Sequence, residues 1–162
     1  MSDYFQKESF YAKIRYKIRG LMKLSRIYLS HAPHNEKYGL CLEIWRAEIQ
    51  LLALLVKCQK KYYNKTTLSE LDICHEQIRE LWALFYEMGY FGYSKHKKYE
   101  DPKEELRKFD AINALVDELG KMIGSLTPNA KTPDTKESSV KEPGIKEPDD
   151  KQIKEPSVKC EK

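Results

Sequence analysis

Residues 31–61 read HAPHNEKYGLCLEIWRAEIQLLALLVKCQKK, and the reading of this stretch decides the fold. It opens on a proline-bearing turn and then runs without Pro, and with no Gly after Gly39. Leu40, Ile44, Ala47, Leu51, Leu54, Leu55 and Cys58 recur at steps of three and four, the period of a helix with one buried stripe. Trp45, Ile49, Leu52 and Val56 add apolar surface beside that stripe, so more than one face asks for cover. A helix of about 26 residues at ~1.5 Å per residue would be ~39 Å long. Such a helix draws its stability from packing, so the rest of the chain has to supply neighbours.

Three further helical patterns do so. Upstream, over residues 4–30, Phe10, Tyr11, Ile14, Ile18, Leu21, Met22, Tyr28 and Leu29 fall within about a third of the helix circumference. Downstream, residues 68–88 place Leu68, Leu71, Cys74, Ile78, Leu81, Trp82, Phe85 and Met88 on one stripe, with His75 beside it as a partly buried residue. The last pattern carries Leu106, Phe109, Ile112, Leu115, Val116, Leu119 and Ile123. Gly120 and Gly124 lie on that side, where small residues let another helix come close.

The punctuation between these segments fits helix ends. Proline 33 pushes its predecessor out of the helical region, and Asn35 is an expected N-cap for the second helix. Thr67-Leu-Ser-Glu70 has the spacing of a capping box. Gly89 suits a C-cap, and Asp101-Pro102-Lys103-Glu104 combines an Asp cap, Pro at the first helical position and Glu at the third. Four helices with short connections predict an all-α fold, an up-down-up-down four-helix bundle over residues 1–126.

From Thr127 the composition changes. Residues 127–162 lack aromatic side chains and repeat Lys-Glu-Pro at 141–143, 146–148 and 154–156. Frequent proline and balanced charge oppose helix, sheet and core burial, which predicts a disordered tail with a solubilising or tethering role.

Charge is unevenly shared. The chain carries 29 Lys/Arg and 25 Asp/Glu, and the whole excess of +4 lies in residues 1–126. Arg15, Arg19, Lys23 and Arg26 line up on one flank of the first helix at spacings of 4, 4 and 3, and Lys13 and Lys17 lie on the other. A strip of four cations without an acid reads either as a solvated helix face or as a track for a phosphate backbone. Lys57, Lys60, Lys61 and Lys65, around Tyr62 and Tyr63, read either as cations complementing a helix C-terminus or as a nucleic-acid contact. The loop YFGYSKHKKYED (90–101) interleaves Tyr90, Phe91, Tyr93 and Tyr99 with Lys95, His96, Lys97 and Lys98. It is either an ordinary loop folded onto the helices or a stacking surface for bases.

Signals for chemistry are sparse. There is no Gly-rich phosphate loop, no HExxH and no Glu-x-x-His pair of the di-iron type. Glu48, the best candidate carboxylate, is expected on the polar side of its helix. Cys41, Cys58, Cys74 and Cys160 form no CxxC; the first three read as small core residues with free thiols. His31, His34 and Cys41 have no suitable metal spacing. No cofactor, no metal and no enzymatic activity are expected. The first residues lack the apolar core of a signal peptide and no run approaches the ~18–20 apolar residues of a membrane span, which predicts a cytoplasmic protein.

In this order the motifs resemble a known family. The turn His31-Ala-Pro33-His34-Asn-Glu-Lys37-Tyr38-Gly-Leu40 is like the family's Phe-Pro-Lys…Leu-Gly segment, and the apolar helix ending in Lys57-Cys-Gln-Lys-Lys61 and the Leu68–Gly89 helix follow it. Glu118-Leu-Gly-Lys-Met-Ile-Gly-Ser125 is like its Glu-Ile-Gly-Arg-Met-Leu-Gly-Gly. Over about Tyr11 to Leu126 the chain resembles the accessory protein of diversity-generating retroelements, the accessory variability determinant. That protein sits within a group of small four-helix-bundle proteins that includes relatives encoded in intervening sequences of bacterial large-subunit rRNA genes. The chain departs where the family often closes its last helix with Gly-Trp-Ile; here Ser125-Leu126-Thr127 follows Gly124. The resemblance implies a homopentamer with a basic surface that binds RNA or DNA. It also implies a reverse transcriptase and its template RNA or cDNA as partners, in mutagenic cDNA synthesis. The residues it implicates are Arg15, Arg19, Lys23, Arg26, Lys57, Lys60, Lys61 and Lys65. The alternative is an oligomeric scaffold of the same fold with another protein partner.

Overall fold

The computed structural model describes residues 2–61, 64–93 and 101–127, with side chains from residue 8 onward. It is all-helical, with no strand among the described residues. The helices are α1 (Ser2–Ser30), α2 (Leu40–Lys60), α3 (Lys65–Glu87) and α4 (Pro102–Gly124), with one 3-10 turn between α1 and α2 at His34–Tyr38 and another after α3 at Tyr90–Gly92. Each helix packs against two others, in the cyclic order α1, α2, α3, α4 and back to α1. The Lys-Glu-Pro repeats expected to be disordered fall outside the described residues.

One core runs between the four. Ile14, Ile18 and Leu21 of α1, Ile44, Leu51 and Leu55 of α2, Leu71, Ile78, Trp82 and Phe85 of α3, and Ile112 and Leu119 of α4 are all essentially buried. The directions follow from paired contacts. Arg15 donates to Gln59 Oε1 at 2.5 Å, and Ser25 lies 2.5 Å from Glu48 Oε1, so α1 and α2 are antiparallel. His75 meets the Val116 carbonyl and Tyr86 stacks on Phe109, so α3 and α4 are antiparallel too.

The helix ends differ from the sequence reading in instructive ways. Asn35 does not cap α2. The 3-10 turn takes up residues 34–38, and the Glu36 carboxylate accepts from the Leu40 amide at 3.3 Å, placing negative charge at the positive end of the helix. α2 accordingly has 21 residues rather than about 26. The Thr67 capping box does not form, because α3 begins earlier, at Lys65, and Thr67 is buried inside it. Asn64, just before α3, turns its amide back to the Cys58 carbonyl at 3.1 Å, closing the last turn of α2. The two remaining signals read as expected. Asp101 accepts from the Lys103 amide with Pro102 opening α4, and Gly89 takes the left-handed conformation, φ 72°.

Two residues assigned to the core are not there. Met88 is 54% exposed because α3 stops at Glu87, and Leu106 is 46% exposed on the first turns of α4. His75, expected at the edge, is buried instead. Its Nε2 lies 2.6 Å from the Val116 carbonyl, which can only accept, so that nitrogen carries the proton. The ring covers Gly120, where a Cβ would stand 2.7 Å from His75 Cε1. Gly120 is therefore the point of close helix approach; Gly124 has open space around it. Gly120→Ala should lower stability by about 1–3 kcal/mol through overpacking, while Gly124→Ala should be neutral or mildly stabilising through helix propensity. Paired urea midpoints check this contrast. Equal midpoints for the two variants would exclude it.

Among the described residues no helix is long and apolar enough to cross a membrane. Cys41, Cys58 and Cys74 are buried free thiols. Burial pushes each thiol up, Cys74 to about 11, and Cys74 donates to the Ala47 carbonyl at 3.3 Å. They behave as small core residues.

Candidate nucleic-acid interface

The cations singled out in the sequence fall on α1, on the C-terminal end of α2 with Lys61 just past it, and, for Lys65, on the first residue of α3. Because α1 runs antiparallel to α2, the middle of α1 lies beside the C-terminal end of α2. Arg15 and Arg19 thus sit towards the end of the fold that carries Lys57, Lys60 and Lys61, with Lys65 opening α3 close by in sequence. Arg26 lies at the other end of the strip, beside Lys37 on the rim of a groove.

The eight residues are not equivalent. Arg15 is half-buried and engaged: it donates to Gln59, and its Nε is buried without a partner. It ties α1 to α2 and is poorly placed to meet a ligand. Arg19, Lys23, Arg26, Lys57, Lys60, Lys61 and Lys65 are exposed, and none of the seven takes part in an ion pair among the described residues. Their side chains are therefore free to extend. Some cations elsewhere are engaged, while Lys13, Lys37, Lys103 and Lys121 are, like the seven, exposed without an ion pair among the described residues. Lys17 bridges to Glu118 of α4 at 2.8 Å, Arg46 to Glu43 at 2.9 Å, and Arg79 to Asp117 at 2.9 Å.

The tyrosine-rich loop resolves into separate roles. Phe91 is buried, and Tyr28, Phe85, Trp82 and Phe109 surround it with ring centroids 4.9–6.2 Å away. It belongs to the core, not to a stacking surface. Tyr90 donates to Glu36 Oε1 at 2.8 Å, joining this loop to the turn before α2. Tyr93 is exposed. Ser94 to Glu100, with Lys95, His96, Lys97, Lys98 and Tyr99, lie outside the described residues, as do Tyr62 and Tyr63.

Glu48 is the residue the sequence reading misplaced most. It is fully buried, not on the polar side of α2. Oε1 accepts from Trp82 Nε1 at 3.3 Å and faces Ser25 Oγ, while Oε2 has no partner. Burial pushes its carboxyl up to about 7, against the opposing effect of these two hydrogen bonds. Its apolar surroundings leave it no access to a substrate, so it acts on the fold. No group of three or more His, Cys, Asp or Glu among the described residues is arranged to hold a metal.

Compared with protein-family models, with curated proteins and with solved structures, the chain has no match.

Proposed function

We propose that this chain is a non-catalytic, nucleic-acid-binding accessory subunit that holds a reverse transcriptase and its template RNA together during mutagenic cDNA synthesis. In this reading residues 1–126 are an up-down-up-down four-helix bundle working in the cytoplasm as a homopentamer, with partners and copy number taken from the resemblance to the retroelement accessory proteins. The observation that carries the nucleic-acid part is the set of seven exposed cations without ion-pair partners among the described residues, Arg19, Lys23, Arg26, Lys57, Lys60, Lys61 and Lys65. Phosphate contacts release counterions, so affinity for RNA should fall steeply with salt, with a log–log slope of about 0.7–0.9 per contact.

The test uses Arg19→Glu, Lys23→Glu, Lys60→Glu and Lys61→Glu together, leaving Arg15 to its structural bond. The expected result is a folded protein with a shallower salt slope, weakened RNA binding and lost cDNA synthesis in the retroelement. Unchanged cDNA yield, or wild-type RNA binding without salt dependence, would sink the proposal. The second reading, a scaffold for another protein, is favoured by the uncovered Ile49 and Val56 on α2. It predicts retention of a protein partner in pull-downs that recover no dominant RNA.

A further inference from the structure

The two tryptophans are placed in opposite ways. Trp82 of α3 is buried, gives its Nε1 proton to Glu48 and touches Phe85 and Phe91 in the core. Trp45 of α2 is only half-buried and has neither a hydrogen-bond nor a ring partner among the described residues. Its unpaired Nε1 is not buried, so the indole keeps a donor and ring surface for another molecule.

Trp45 lines a groove of about 540 Å³ formed by the last turns of α1 and the start of α2. That volume falls within the ~300–1,000 Å³ of small-ligand sites. Leu29 and Leu42, both half-buried, extend its apolar floor, and the exposed Arg26 and Lys37 stand on its rim. Neither cation makes an ion pair among the described residues, and no carboxylate lines the groove. Ser30 gives its hydroxyl proton to the Ile27 carbonyl at 2.7 Å, which leaves it only an accepting oxygen. An unpartnered ring beside two cations that lack an anion suits a ligand joining a flat ring to a phosphate, as a nucleotide does. A base inside a duplex is stacked between its neighbours, whereas an unpaired base can be splayed out onto an aromatic side chain.

We propose that this groove takes one unpaired nucleotide of single-stranded RNA, its base against Trp45 and its flanking phosphates on Arg26 and Lys37. The inference rests on the nucleic-acid reading and adds selectivity to it. The seven cations follow a phosphate backbone of any kind; Trp45 favours the single strand. Neither Trp45 nor Lys37 is among the residues that the resemblance implicates.

Two signals from the full chain test it. Tryptophan emission reports the groove, because Trp82 is 1% exposed and supplies a constant background. Anisotropy of end-labelled RNA reports binding anywhere on the surface. The probes are a short oligoadenylate, the same strand paired with its complement, and AMP. The oligoadenylate should quench Trp45, and the duplex should bind without quenching. Trp45→Leu, with an unchanged helical spectrum, should lose the quenching and about 5- to 100-fold of its single-strand affinity. Lys37→Glu lies on an exposed turn outside the core and keeps the reporter. It should move the quenching midpoint about tenfold or more. Salt-dependent anisotropy without quenching, with Trp45→Leu binding single strands like wild type, overturns the groove and leaves the wider nucleic-acid reading standing. Equal quenching by the duplex, or an unmoved midpoint in Lys37→Glu, also overturns it. Quenching by AMP with no RNA binding by either signal overturns both readings and makes the groove a site for a free nucleotide.

Discussion

Phe91→Ala is expected to lower stability by about 3–5 kcal/mol, the range for truncating a buried aromatic ring. Phe91 leaves the short turn after α3 and enters a cluster of rings supplied by three helices: Tyr28 from α1, Trp82, Phe85 and Tyr86 from α3, and Phe109 from α4. Its contacts with Tyr28 and Phe85 are edge-to-face at 5.4 and 4.9 Å, and Trp82 stacks at 5.8 Å. These geometries add to simple area burial. The surrounding rings are held by their own helices and cannot all collapse into the space, so a cavity term remains. Gly92, next in the chain, is buried with Glu105 so close that a Cβ would stand 1.7 Å from its Oε1. The turn therefore has little freedom to move inwards. Thermal denaturation should show a fall on the order of 10 °C or more. Tyr93→Ala, at an exposed position two residues on, should leave the midpoint nearly unchanged. A Phe91→Ala midpoint close to that of Tyr93→Ala would place Phe91 outside the core.

The contrast between these neighbours shows what the sequence could and could not convey. Helical periodicity located four helices because each buries a stripe whose spacing is fixed by backbone geometry. Phe91 has no such signature. It stands alone in a run of tyrosines and lysines, and only the packing of three helices decides that it turns inwards. The same holds for helix starts. Thr67 and Asn35 match capping spacings, yet Glu36 and the earlier start of α3 take over because tertiary contacts, including the Tyr90 bond to Glu36, fix the turns. Among the cations, the strip on α1 was visible as a spacing. That Arg15 is tied down while Arg19, Lys23 and Arg26 stay free depends on where Gln59 of α2 arrives. Ion pairs such as Lys17 with Glu118, 101 residues apart, carry no local trace at all.

Proton counting around Glu48 predicts a stability that falls as pH rises. Ser25 Oγ lies 2.8 Å from the Leu21 carbonyl and 2.5 Å from Glu48 Oε1. A hydroxyl has one proton, and the carbonyl can only accept. When the carboxyl is neutral both contacts can be made at once, the carboxyl donating to Ser25 Oγ and Ser25 to Leu21; when it is ionised, Ser25 can serve only one of them. Neutrality also suits Oε2, which is buried without a partner and would be far costlier as half of a carboxylate. The carboxyl accordingly titrates at about 7 when folded, up from an ordinary value of 4.5, with burial as the largest cause. Between those two values the folded chain holds a proton that the unfolded chain has released. The contribution of Glu48 is therefore complete below pH 4.5, falls as pH rises through 7, and is lost above it. At ~1.36 kcal/mol per unit the loss is about 3 kcal/mol. Glu48→Gln keeps the shape without ever becoming charged, with its amide oxygen accepting from Trp82 and Ser25. Whatever its fixed offset near pH 4.5, it should gain about 2–3 kcal/mol on the wild type between there and about pH 8. Urea midpoints of the two proteins across this range measure the difference, in which every other titrating group cancels. Parallel curves would mean that Glu48 keeps the same charge in the folded and unfolded chain, and that Ser25 alone supplies the proton of the short bond.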